Sequence, residues 1–483
     1  MTRPLDDALI RSLAGKRLVV LANREPYSHE RVNGDIVIQQ PASGLVTGIE
    51  PLLVATGGVW IAHGSGSADR AVVDERSTVP VPPDEPAYSL RRIWLTEDEV
   101  SGFYEGAANE ALWPLCHLAF TKPTFRPRDF ETYRAVNRKF VEAAVDATRG
   151  ETIVLVQDYH FALVPAMLRE RGSRAPIHLF WHIPWPPAEV FQLCPWDSEL
   201  LRGMLGADIV GFHSLRYCRN FVESCSRILE CEADFDELTV RLDGRTTRVR
   251  RYPISIEWPM ETASREEGMQ VREQLGIPGH IHLSVGVDRV DHTKGLLERL
   301  AGVERFFELY PNWKRRYVFM EVASPSRMAI ESYRLLNEML VAETERINER
   351  FSEGEWKPVL LERRTLSPPE LRAHYAAADS GLVTPLHDGM NLVAKEYVAS
   401  CVDDRGILIL SEFTGAAEEL TEAILINPYD ADGIAHAIHQ AIVMPEREKR
   451  ERMRKLRKKI AEHTIYDWAA DILGDSIEIM ENR

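Results

Sequence analysis

The chain is 483 residues long and has few of the short signatures that announce a common chemistry. No GxxxxGK[ST] loop, no GxGxxG between a strand and a helix, no HExxH and no GxSxG occurs, so P-loop, dehydrogenase, zinc-protease and serine-hydrolase readings lose support. No apolar run approaches the roughly 18 residues of a membrane span, and the start, "MTRPLDDALIRSLAGKR", lacks the apolar core of a signal peptide. A soluble, cytoplasmic protein without membrane partners is the expectation. The six cysteines show no CxxC spacing, which argues against a zinc site or a disulfide framework; no metal and no cofactor is expected. Positive charge is also short: 58 basic against 74 acidic residues leave a net charge of −16, which disfavours nucleic acid as a partner. Any anion must be gripped locally.

What is present is a repeated alternation of short apolar segments and longer helical patterns. "RLVVLAN", "ETIVLVQ", "PIHLFWHIP" and "ADIVGFH" form one series; "HIHLSVGV", "RRYVFMEVA", "PVLLERR", "SGLVTP", "GILILSE" and "AILINPY" form a second. Such alternation marks parallel βαβ units, and the length exceeds what one core usually serves. The expectation is an α/β protein of two Rossmann-like domains, 1–255 and 256–483, whose parallel sheets face a central cleft, with the last helix packing back on the first domain as one option. Open parallel sheets bind ligands beyond the carboxyl ends of their strands. The residues there are Asn23 and Arg24, Asp158 and His160, His182, His213, Arg289 and Lys294, Arg327, and Asp388 with Glu396.

Two of these strand ends stand out. "SVGVDRVDHTKG", Ser284 to Gly295, runs into a helical pattern; Thr293 is a candidate N-cap, and Arg289 and Lys294 are either solvated turn residues or an anion grip at a helix N-terminus. In "TPLHDGMNLVAKEY", Gly389 is a candidate sharp turn, and the N–H groups of Met390, Asn391 and Leu392 start a helix able to hold phosphate. Asp388 is otherwise an ordinary N-cap. Glu396 falls about two turns later, on nearly the same face, where it could accept hydrogen bonds from ribose hydroxyls. "HGSGS", His63 to Ser67, is too weak to interpret alone.

Together, "VQDYH", "WHIPWP", "VDRVDHTKG", "ASPSR", "DGMNLVAKEY" and "LSEFTGAAEEL" resemble the retaining glycosyltransferase family of trehalose-6-phosphate synthases, in order and from about Arg17 to the C-terminal helix. The resemblance implies a GT-B architecture, with a nucleotide-glucose donor held mainly by the second domain and a sugar-phosphate acceptor. It implies that Arg289 and Lys294 meet the donor diphosphate, with Gly44 beside the donor, His182 near the donor sugar, Asp388 on sugar hydroxyls and Glu396 on ribose. Arg24, Tyr104, Trp113, Asp158 and Arg327 match residues that bind glucose 6-phosphate. Arginines suit that dianion, because a guanidinium offers forked, always-charged donors. Arg289, Lys294, His182 and Asp158 are the residues expected to carry catalysis.

The implied reaction is glucosyl transfer from a nucleotide-glucose, UDP-glucose by default, to glucose 6-phosphate. Departures keep alternatives in view. The segment from Glu25 to Ser43 is longer than in the simplest relatives, and its "REPY" start resembles glucosylglycerol-phosphate synthases, which use glycerol 3-phosphate. Ser43, His63, His292 and His387 stand where many relatives carry glycine, tryptophan, tyrosine and arginine. A pseudoglycosyltransferase and a non-catalytic sugar-phosphate-binding paralogue are the remaining readings, and a homo-oligomer stays open.

Overall fold

The computed structural model describes residues 13, 15–40, 44–118, 120–148 and 150–482, and the chain divides into two compact units. One comprises the chain up to Ile254 together with the last helix from Ile465; the other is Ser255–Thr464. Among the described residues no helix is long and apolar enough to cross a membrane.

In the first unit, strands β1 (Arg17–Leu21), β4 (Val59–His63), β6 (Tyr88–Ile93), β7 (Thr152–Gln157), β8 (Ile177–Phe180), β9 (Ile209–Phe212) and β12 (Arg245–Arg251) form the parallel body of a ten-stranded sheet ordered β12-β9-β8-β7-β1-β4-β6. The edges are not parallel. β5 (Thr78–Val81) pairs antiparallel with β6 at one side, and β10 (Glu232–Asp234) and β11 (Thr239–Leu242) extend β12 antiparallel at the other. The sequence reading missed these edge strands, which are three or four residues long and adjoin their partners in the chain without a helix between, and it also did not include β4, β6 and β12 of the parallel body. A separate hairpin, β2 (Ser28–Val32) with β3 (Asp35–Gln39), occupies most of the long segment after Arg24.

The central strands are apolar on both faces because helices cover both: every residue of β7, "TIVLVQ", is buried. The helix after β9, Leu215–Ile228, buries Tyr217, Cys218, Phe221, Val222 and Cys225, the i, i+3, i+4 stripe of a one-sided helix, and Ser214 Oγ caps it by accepting from Tyr217 N at 3.3 Å. The charged C-terminal run breaks at His463 and Thr464 into helices Glu446–Glu462 and Ile465–Glu481. The second of these packs on the first unit: Trp468 lies edge-on to Phe180 at 5.2 Å, Arg248 pairs with Glu478 at 3.1 Å, and Tyr252 Oη donates to Asp475.

The second unit is a six-stranded, wholly parallel sheet ordered β15-β14-β13-β16-β17-β18, from β13 (His282–Arg289), β14 (Tyr317–Ser324), β15 (Val359–Glu362), β16 (Ser380–Val383), β17 (Ile407–Ser411) and β18 (Ile424–Ile426). Strand order reverses between β13 and β16, which pair directly. This is the switch point at which open α/β sheets collect ligands, and it brings the two stretches singled out in the sequence side by side.

Candidate active site

At that switch point β13 ends in Arg289, a 3₁₀ turn spans His292–Lys294, and helix Leu296–Leu309 begins. The expected Thr293 N-cap is not observed. Asp291 takes that role for the turn, its Oδ1 accepting from Thr293 N and Oγ1, both at 3.0 Å, and Gly295 precedes the helix at φ 62°. Only glycine fits there: a Cβ would lie 2.1 Å from the Thr384 carbonyl oxygen. Likewise the sharp turn in "HDGMN" is taken by Asn391, at φ 86°, rather than by Gly389. Asn391, not Asp388, caps helix Leu392–Ser400, its Oδ1 accepting from Ala394 N at 2.9 Å. The loop is pinned from "LSEFTGAAEEL": Gly415 N donates to the Asp388 carbonyl at 3.1 Å and Ala416 N to that of Met390 at 2.8 Å.

With both loops so fixed, Lys294 Nζ donates to Asp388 Oδ2 at 2.5 Å, and Asn391 Nδ2 to the same oxygen at 3.1 Å. Burial works against the Lys294 ammonium, but the carboxylates of Asp388 and Asp288 outweigh it and raise its pKa, so the side chain stays charged. Arg289 is half-buried beside it, close enough that its charge acts on both Lys294 and Asp291. Two cations, a helix start and a carboxylate therefore converge on one strand end.

Arg327, at the end of β14, sits in the left-handed region at φ 50° and its side chain is 5% exposed. Its Nη1 donates to Asp291 Oδ2 at 2.7 Å and to Tyr333 Oη at 2.7 Å. Burial alone would raise Asp291; Arg327 and then Arg289 reverse that and hold it at about 2. His292 meets the Tyr333 ring edge-on at 5.2 Å, and burial keeps the imidazole below its usual range, hence neutral. One turn into helix Leu392–Ser400, Glu396 retains some surface, yet the surrounding protein pushes its carboxyl up to about 7, opposed by Tyr375 Oη donating at 3.4 Å.

The strand ends of the first unit are built differently. Asp158, after β7, is held at φ 74°, and its Oδ1 accepts from Tyr159 N at 2.9 Å and His182 N at 3.1 Å. His182, after β8, lies 2.9 Å from Gln157 Oε1 through Nε2, and its carbonyl lies 3.1 Å from His213 Nε2. Burial first, then His213 and His160, push His182 far below the usual imidazole range. Tyr104 stacks on His160 with ring centroids 5.8 Å apart, and Trp113 packs on Tyr159 at 5.8 Å. Tyr104 projects from a π-helical stretch, Val100–Leu112, and Trp113 opens the helix that follows it, its N–H donating to the Ala108 carbonyl. Such wide turns are rare and cluster at functional sites. Asp158, Arg327 and Asn391 all occupy backbone regions costly for non-glycine residues, which places stored strain at the strand ends of both units.

Arg24 is exposed, and its backbone carbonyl accepts from Trp60 Nε1 at 3.1 Å. Gly44 opens helix Gly44–Thr56; Ser43 lies outside the described residues. "HGSGS" is a clasp rather than an anion cradle: Ser65 N donates to Glu25 Oε1 at 3.1 Å and Gly66 N to Asp69 Oδ2 at 2.7 Å. Buried Arg92 completes it, with Nε to Glu25 at 2.8 Å and Nη2 to Asp69 at 2.9 Å. The segment carrying Arg24 is thereby fixed from behind. Sequence reading missed Asp291, Tyr333, Tyr375 and Arg299. Asp291 was visible only as a loop aspartate, and two tyrosines and an arginine inside helices carry no pattern that separates them from ordinary packing.

Comparison with known proteins adds the family. The model of "Glycosyltransferase family 20" matches residues 16–477. A trehalose-6-phosphate synthase of Mycobacterium avium is 39% identical over 479 residues, covering 96% of this chain and 95% of that protein. A bifunctional trehalose-6-phosphate synthase/phosphatase of Thermoproteus tenax is 37% identical over 97% of this chain, which spans 64% of its length. Among solved structures, a UDP-forming alpha,alpha-trehalose-phosphate synthase of Burkholderia xenovorans in complex with glucose-6-phosphate superimposes with a TM-score of 0.83 at 31% identity, over 95% of this chain and 99% of that one.

Proposed function

This chain belongs to glycosyltransferase family 20, and from that premise we propose that it transfers glucose from UDP-glucose to glucose 6-phosphate with retention, forming trehalose 6-phosphate and UDP. The observation that supports it most is the Lys294–Asp388 pair at the β13/β16 switch point, with Arg289 beside it. A cation already locked to a carboxylate is placed in advance, so it does not reorganise as charge develops on a leaving diphosphate.

In this reading the bond between the glucosyl C1 and the diphosphate oxygen breaks while the acceptor hydroxyl attacks C1 from the same face. The hydroxyl proton passes to the departing diphosphate. Arg289, Lys294 and the N–H groups of Met390, Asn391 and Leu392 take up the diphosphate charge, and Gly389 leaves that backbone bare. Asp388 and neutral His182 face sugar hydroxyls, Glu396 the ribose, and Gly44 lies beside the donor. On the acceptor side, Arg24 and Arg327 are assigned to the phosphate, and Tyr104, Trp113 and Asp158 to the glucose ring. Chain segment 1–255 is thus mainly the acceptor half and 256–483 the donor half.

The test is a matrix of donors (UDP-, GDP- and ADP-glucose) against acceptors (glucose 6-phosphate and glycerol 3-phosphate), read by release of nucleoside diphosphate. Release that requires UDP-glucose and glucose 6-phosphate together is expected. Turnover with glycerol 3-phosphate alone would transfer the chain to the glucosylglycerol-phosphate reading, and no release from any pair would support a binding role.

A further inference from the structure

The diphosphate clamp rests on a residue no motif announces. Arg299, in helix Leu296–Leu309, has a side chain with no solvent exposure, and its guanidinium donates in four directions. Nε reaches Thr384 Oγ1 at 2.9 Å, Nη1 reaches Glu321 Oε1 at 2.8 Å, and Nη2 reaches both Asp288 Oδ2 and, at 3.3 Å, the Lys294 carbonyl. These partners belong to the segments that build the strand-end site. Asp288 is the residue before Arg289, Lys294 belongs to the clamp itself, and Thr384 opens the "TPLHDGMN" loop that carries Asp388. Thr384 Oγ1 in turn donates to the Gly295 carbonyl at 3.3 Å, and Leu386 N to that of Thr293 at 2.8 Å.

The surroundings are shaped to this guanidinium. At Gly286 a Cβ would lie 2.4 Å from Arg299 Nη1, so the strand is bare where the group passes. Glu321 and Asp288 are both buried, and Glu321 Oε2 has no hydrogen-bond partner among the described residues. Two carboxylates around one buried guanidinium is not a stabilising choice over an apolar core of the same volume, since the desolvation of such groups commonly outweighs their attraction. The arrangement makes sense as a device that sets geometry. A planar fork can bridge four acceptors at fixed angles, whereas a lysine ammonium or an apolar side chain cannot.

We propose that Arg299, braced by Glu321, is the positioning residue of the nucleotide-sugar site, locking the Arg289–Lys294 turn and the Asp388 loop into one relative geometry through Asp288, the Lys294 carbonyl and Thr384. The proposal rests on the transferase reading above. It acts first on the donor: loosening the lock displaces the diphosphate grip directly and reaches the acceptor side only at second hand, through the Asp291–Arg327 contact.

Arg299→Lys and the milder Thr384→Val, made in the full chain, test it by steady-state kinetics with melting temperatures in parallel. For Arg299→Lys, KM for UDP-glucose rises about tenfold or more with a fall in kcat, while KM for glucose 6-phosphate stays within about twofold. Thr384→Val moves the same parameters in the same direction by about three- to fivefold. A loss of kcat alone with both KM values at wild type, as a smaller folded fraction would give, overturns the proposal, and so does unchanged kinetics. Should Arg299→Lys fail to fold, Thr384→Val decides: an unaltered KM for UDP-glucose rejects the lock. Calorimetric binding of UDP to the same variants separates the two readings. A wild type that binds UDP but turns nothing over defeats the transferase assignment, and equal UDP affinity in wild type and Thr384→Val defeats the lock.

Discussion

The strand ends of the two units handle charge in opposite ways. In the second unit charge is at the site: Lys294 is paired with Asp388, Arg327 with Asp291, and Arg289 stands between them. In the first unit the buried charge lies behind the site, in the Arg92–Glu25–Asp69 clasp, while the strand ends present rings, a neutral His182, an Asp158 that already accepts two backbone N–H groups and the exposed Arg24. In the proposed reaction the difference matches what each half would hold, apart from the acceptor phosphate assigned to Arg24 and Arg327. A diphosphate that gains charge as its bond breaks needs preset cations; a sugar ring needs flat apolar faces and neutral hydrogen-bonding groups in fixed places.

The contrast can be broken from either side. The largest effect is expected at the clasp. Arg92→Met strands two carboxylates in the interior of the first unit and costs about 3 to 5 kcal/mol of stability in denaturant unfolding. A smaller loss than this would place Glu25 and Asp69 in contact with water and weaken the claim that charge is structural there. Next come Lys294→Ala and Arg289→Ala, each lowering kcat about 10²- to 10³-fold with melting temperature little changed; near-normal turnover in either removes the diphosphate clamp.

Glu396 gives a pH signature. With its carboxyl at about 7, kcat/KM for UDP-glucose is expected to rise as pH passes through that value and the carboxylate assigned to the ribose forms, and Glu396→Gln to flatten the limb. Stability moves the other way. The folded value lies above the ordinary 4.5, so wild type is most favoured relative to Glu396→Gln below that pH, loses the advantage as pH rises to about 7, and stays level above it. Parallel melting curves of the two proteins would show this. The smallest effect is expected at His182→Gln, about tenfold in kcat with no new pH dependence below 7, because the native ring is already neutral.

Much of this was legible in the sequence because parallel strands buried on both faces announce themselves as apolar runs, and because ligands collect where such strands end. Every strand quoted from the two series is present, and the neighbouring of Lys294 and Asp388 follows from β13 pairing with β16. What escaped was of three kinds. Cap and turn roles moved by a few residues, from Thr293 to Asp291 and from Gly389 to Asn391, because several local residues can satisfy the same backbone N–H and only the tertiary frame selects one. Positioning groups such as Arg299 and Tyr333 were invisible, since their significance lies in partners 5 to 85 residues away for the one and an arginine six residues back for the other. The antiparallel edges and the β2–β3 hairpin were missed because their strands are short and have no helix between them, and β4, β6 and β12 of the parallel body were missed as well.

The most direct test of the central assignment is the product itself. Incubating the protein with UDP-glucose labelled at C1 and with glucose 6-phosphate, then reading the anomeric carbon and its coupling by NMR, is expected to show a 1,1-linked disaccharide phosphate with both anomeric centres α, formed in step with one UDP per linkage. A β-configured donor carbon, or UDP release without a disaccharide phosphate, would contradict it.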